Sequence, residues 1–145
     1  MAETLGMLCD KLTIVKLKQY HTDDEQRLNS LNDQATQLQN EIDTYVTDAA
    51  NGNIPTDKLT FAANKVFKKE GNEVAEVTGA IGALFSQLAE VNCRLWHEVE
   101  RGYDIENVPV PEKDNLVKML AVLNLERNKC IDAIDLKFQE IIINK

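Results

Sequence analysis

Two histidines, each placed directly after an aromatic residue, are the side chains of this sequence best suited to chemistry. His21 follows Tyr20 and His97 follows Trp96; Asp24 lies just beyond the first, and Arg94, Glu98 and Arg101 surround the second. An imidazole donates or accepts hydrogen bonds at either ring nitrogen and changes charge near neutral pH, so the set suits a polar ligand or proton transfer. Arg127, close to Asn124 and Asn128, offers a third group of the same kind. If these residues converge, Tyr20 and Trp96 make flat walls, the imidazoles are adjustable partners, and a guanidinium fork meets an anion. The expected ligand is small, anionic and nucleotide-like.

The elements that must position them are helices. From Ile14, the positions 14, 17, 21, 24, 28, 31, 35, 38, 42 and 45 rise in steps of three and four, and all but His21 and Asp24 are apolar or aromatic. This is the spacing of one helical face, with a polar inset where core residues are expected. A second seam runs Ile81, Leu84, Leu88, Val91 and Leu95 toward His97 and Glu98. A third runs Val117, Leu120, Asn124, Arg127, Ile131, Ile134, Phe138 and Ile141. Buried charge without a partner is costly, so Arg127 is expected to pair with Asp24 or Glu98. A polar layer of this sort also has a purely structural use, fixing the register of helices.

Proline stands only at 55, 109 and 111, which divides the chain into helical arms at about 3–49, 56–101 and 112–143. Thr22 with Glu25 reads as a capping box able to break the first arm after His21, leaving one helix or two collinear pieces open. Thr56 reads as the N-cap of the second arm, which carries Ala62, Ala63, Val66 and Phe67 and is interrupted at Lys68–Asn72. Beyond Leu28 the apolar stripe narrows to that of a coiled coil, so that part of the first arm, and the end of the third near Phe138 to Ile143, are expected to seek a second copy. An offset of 76 residues aligns Leu5, Leu8, Leu12, Val15, Tyr20 and His21 with Ile81, Leu84, Leu88, Val91, Trp96 and His97.

Composition bounds the rest. A 145-residue chain that is 43% hydrophobic and 28% charged has the makings of one folded domain. Its net charge of −8 repels a phosphate backbone, which argues against nucleic acid. Cys9, Cys93 and Cys130 are widely spaced and odd in number, so buried unpaired thiols in a cytoplasm are expected. No apolar run reaches the length of a membrane span, and Asp10 and Lys11 stand where a secretory signal needs apolar residues.

Enzymatic readings fare less well. His21, Asp24, Glu25, His97 and Glu98 are metal-ligand types, but the residues three before the histidines are Lys18 and Arg94, not the glutamates of a di-iron bundle. The acids Glu73, Glu76, Glu100 and Asp104 invite comparison with all-helical nucleotide pyrophosphatases, whose magnesium motif they match poorly: the first pair lacks its leading acid and the second is one residue too long. Cys93 precedes His97 by one turn, without a third residue to orient the base. A binding protein without metal or cofactor is favoured over a metal-dependent enzyme acting on nucleotides.

Three segments carry a resemblance. Cys9-Asp10-Lys11-Leu12-Thr13-Ile14 leading to Tyr20-His21, Asn92-Cys93-Arg94-Leu95-Trp96-His97-Glu98, and Leu123-Asn124-Leu125-Glu126-Arg127-Asn128 resemble the signatures of an uncharacterised all-helical bacterial family, a domain of unknown function met in part near surface-polysaccharide genes. Here Glu98 is followed by Val99 and then Glu100, so the Glu-Asp that often follows the second histidine in that family is only partly kept. The resemblance implies that His21, His97, Asn124, Arg127 and Asn128 belong to one centre, and it implies no activity. The chain is thus expected to be an all-α single domain, residues 1–145, of long antiparallel helices forming a bundle with a coiled-coil-like extension. It is expected to form a homodimer or higher oligomer.

Overall fold

The computed structural model describes residues 2–61 and 77–145. Four α-helices occupy them, with no strand among the described residues: α1 (Leu5–His21), α2 (Glu25–Ala50), α3 (Ile81–Tyr103) and α4 (Val110–Ile143). The expected N-cap at Thr56 opens only a 3-10 turn, Thr56–Lys58, after Pro55. Ala62, Ala63, Val66 and Phe67, the expected interruption, and Glu73 and Glu76 lie outside the described residues.

Each boundary has a local cause. The Thr4 hydroxyl accepts the Met7 amide at the start of α1. The first arm does break after His21, but the cap of α2 is Asp24, whose carboxylate accepts the Gln26 and Arg27 amides at 2.9 and 3.2 Å. Glu25 then sits in the first turn, where a negative charge meets the positive end of the helix dipole. At the far end of α2, Gly52 takes a φ of 78°, a left-handed conformation that turns the chain. Pro111 falls in the first turn of α4, where a missing amide hydrogen costs nothing, so this helix starts two residues before the expected 112.

The helices run alternately up and down. Gln19 bonds Asn32 across α1 and α2 at 2.8 Å, Gly6 bonds Asp135 across α1 and α4, and Arg94 and Arg101 of α3 reach Glu126 and Glu112 of α4. The segment beyond Leu28 therefore does not extend away from the body. It doubles back on α1, with Leu31 and Ala35 against Val15 and Tyr45 against Phe138.

The main core is built from Leu5 and Leu8 of α1, Tyr45 and Ala49 of α2, Leu84, Leu88 and Val91 of α3, and Cys130, Ile131, Ile134 and Phe138 of α4, closed by Leu59. Truncating any one of the fully buried leucines is worth about 2–5 kcal/mol, because the site left behind relaxes only in part. On α4 the buried line toward α3 is Leu116, Leu123, Cys130 and Ile134, so Val117, Asn124 and Ile141 of the expected seam face outward. At the α1–α4 crossing, Gly6 has no room for a side chain: a Cβ there would lie 2.6 Å from the Ile131 carbonyl oxygen. The backbones approach this closely because that position carries only hydrogen.

Candidate functional site

Arg127 does stand in a polar layer, with a different partner from those expected. Its Nε donates to Asp10 Oδ1 at 2.9 Å and its Nη2 donates to Oδ2, a bidentate fork between α4 and α1. Asn92 Nδ2 donates to the same Oδ1 at 2.9 Å, which adds α3. Asp10 and Asn92 are buried, whereas the Arg127 side chain keeps 30% of its exposure. The hydrogen bond to Asp10, with the carboxylate charge, raises the Arg127 pKa against the opposing effect of burial. One residue from each of the three quoted motifs thus meets here. The expected partners are elsewhere: exposed Asp24 caps α2, and Glu98 binds Arg101 on its own helix at 3.0 Å.

A second polar cluster lies at the start of α1. Asp135 accepts the Gly6 amide at 2.7 Å. Burial pushes its carboxyl up to about 6, eased by the Thr4 hydroxyl and the Gly6 amide and reinforced by Asp132. Cys9, beside it, is pushed up to about 11 by burial and by Asp135 and Asp10, and Cys130 to about 11 by burial and Glu126. Cys93, expected to be buried, is exposed.

The aromatic–histidine pairs separate. The His21 ring stacks on Trp96, with centroids 4.9 Å apart and planes 13° from parallel, and Tyr20 stands edge-on to His21 at 5.2 Å. His97, turned about 100° from Trp96 on α3, is exposed, so the two histidines do not share a site. Tyr20 is 85% exposed and forms no buried wall. Asn124 is exposed and Asn128 half-buried on α4, away from the stack. Arg94 lies 4.0 Å from Glu126, and Arg101 pairs with Glu98 and, at 3.7 Å, with Glu112. Each of the three candidate arginines is therefore already matched to a carboxylate. The convergence expected of imidazoles, acids and guanidinium reduces to His21 on Trp96, with Asp24 lining the same recess, and to Arg127 on Asp10.

The stack borders a recess of about 760 Å³ at the turn between α1 and α2, lined also by Lys18, Arg27, Ser30 and Gln34 and by the carboxylates Asp23 and Asp24. The Trp96 indole N–H is shut off from solvent and has no acceptor among the described residues. Lys18 and Gln34 also line an adjoining groove of about 490 Å³ that reaches Asp10 and Arg127. A larger groove, about 930 Å³, runs between α2 and Ile54–Phe61; it has an acidic rim of Glu3, Asp33, Glu41 and Asp48 and none of the candidate residues. Among the described residues no three His, Cys, Asp or Glu side chains are grouped to hold a metal ion, and no helix is long and apolar enough to cross a membrane.

Sequence reasoning missed Asp10 and Asn92 as members of the layer. A signal for Asp10 was present: the seam that starts at Ile14, carried one step of four toward the N-terminus, lands on it. Asn92 sits four after Leu88 and four before Trp96, on the face that meets α1. No family model, curated protein or solved structure matches this chain.

Proposed function

We propose that this chain is a non-enzymatic binding protein that holds a small, planar, anionic ligand, of nucleotide-like chemistry, in the recess beside His21 and Trp96. The observation that carries the reading is the near-parallel stack of an exposed imidazole on an indole at the edge of that recess. A planar ring can displace or extend the imidazole on that surface. Lys18 and Arg27 replace the matched arginines as the groups that meet negative charge, beside Asp23 and Asp24, of which Asp24 is engaged in capping α2. Three free thiols suit work in a reducing cytoplasm, and self-association belongs to the same reading.

Trp96 is the only tryptophan, so its emission reports on this recess alone. Titration with nucleoside mono- and diphosphates, and with inorganic phosphate as a control, is expected to give a saturable change for a nucleotide. His21→Ala and the pair Lys18→Ala with Arg27→Ala should abolish the response while leaving the melting temperature nearly unchanged. A flat response across the series into the millimolar range would refute the reading.

A second reading is favoured by the Asp10–Asn92–Arg127 layer, which fastens three helices at one level and has the form of a register device in a helical scaffold. Under it, the same titration stays flat while the layer variants unfold more readily.

A further inference from the structure

Among the described residues, nothing covers one face of the helices that carry Trp96 and Arg127. On α3, Asn92 meets Asp10 and Trp96 meets His21, and the same stripe continues in helical steps to Val99 and Tyr103, which are 38% and 89% exposed. On α4 the stripe through Ile131 and Arg127 passes exposed Asn124 and runs back through Leu120, Val117 and Lys113 to Val110, Val117 and Val110 being 64% and 77% exposed. Gly102 lies beside Leu120 and Arg101 reaches Glu112, so the two stripes stand side by side near the α3–α4 connection. Both helices thus present apolar side chains near their connection, where no described residue of α1 covers them.

We propose that a second copy of this chain docks on the face formed by Val99, Tyr103, Val110 and Val117. The proposal names the surface for the self-association included in the function above and does not depend on the ligand. An aromatic side chain buries about 150–250 Å²; with the three valines the face offers on the order of 500 Å² of apolar area, near the upper range for a monomer. That matches the apolar share of a standard interface of about 800 Å² per partner, whose centre favours tyrosine. The charges fit a copy of the same chain. Glu100, Asp104 and Glu106 border the face on the α3 side, while on the α4 side Lys113 stands within it and Lys118 and Asp114 border it. A two-fold axis along the helices sets each α3 on the partner's α4, acids against lysines, and closes the assembly at two.

The test is the mass in solution, by sedimentation and light scattering over a concentration series. The wild-type chain should approach twice its 16.4 kDa as concentration rises. Tyr103→Asp and Val117→Asp should each weaken the dimer at least tenfold, and the milder Tyr103→Ser should weaken it less. Lys118→Glu should weaken it too, and combining it with Glu100→Lys and Asp104→Lys should recover it. A monomer at every concentration overturns the proposal, as does a dimer indifferent to both aspartate variants or a charge exchange that recovers nothing. Loss of helical circular dichroism in Tyr103→Ser also overturns it, because the side chain would then be needed inside the monomer. No small molecule enters these measurements, so their failure and the failure of the ligand reading are told apart.

Discussion

Removing Asp10 is the most informative single perturbation of this fold. Asp10→Ala takes away the acceptor of three hydrogen bonds at once, two from Arg127 and one from Asn92, and leaves the guanidinium beside a buried amide without its counter-charge. Losing one partner of a fully buried ion pair costs about 3–5 kcal/mol. The Arg127 side chain is 30% exposed and regains some hydration, which lowers the expected loss to about 2–4 kcal/mol. Arg127→Met should cost a similar amount, because it strands the Asp10 charge with Asn92 alone. The double variant Asp10→Ala with Arg127→Met should cost about 1–3 kcal/mol less than the sum of the two singles, since neither unpaired charge survives. Urea unfolding followed by circular dichroism at pH 7 measures all three, with the slope against urea as a check that the unfolded state is unchanged. Losses below about 1 kcal/mol for both singles, or strict additivity in the double variant, would refute the claim that the layer joins the helices energetically.

Gly6→Ala should lower stability by about 1–3 kcal/mol, seen as a fall in melting temperature, because its Cβ meets the Ile131 carbonyl oxygen, a backbone atom that cannot swing aside. Asp135 has a folded pKa of about 6 against an ordinary 3.8, so the native state holds its proton more tightly than the unfolded chain. Its contribution to stability is therefore full below pH 4 and is lost as pH rises through about 6, by up to ~3 kcal/mol. The difference in urea midpoint between wild type and Asp135→Asn should follow that window, and a difference flat from pH 4 to 7 would count against it. Alkylation at pH 8 should modify Cys93 quickly and reach Cys9 and Cys130 only on unfolding, as their thiols stay protonated; mass spectrometry counts the adducts.

Helical architecture was legible because apolar spacing and proline placement are local signals. The break after His21 was legible too, and its reading failed on direction: a three-residue turn returns the chain along α1 because Leu31, Ala35 and Tyr45 find apolar partners there and none farther out. Asp24 entered the seam only because the count of threes and fours ran through that break, where helical phase has no meaning. Arg127 was identified as needing a carboxylate, but which carboxylate depends on the crossing of α1 and α4, set by a close approach at Gly6 that no periodicity encodes. The pairing of His21 with Trp96, and the separation of His97 from both, follow from adjacent residues on one helix pointing 100° apart.

The missing side chain at Gly6 also limits how the bundle can move. Packed helices commonly slide along one another with small losses, and this is how many helical proteins transmit a shift from one end to the other. Gly6 is the only glycine in α1, so translation along α4 would drive some Cβ into the Ile131 carbonyl. The joint behaves as a keyed stop: α1 and α4 must travel together, and any motion that opens the turn at His21 has to come from α2 swinging away.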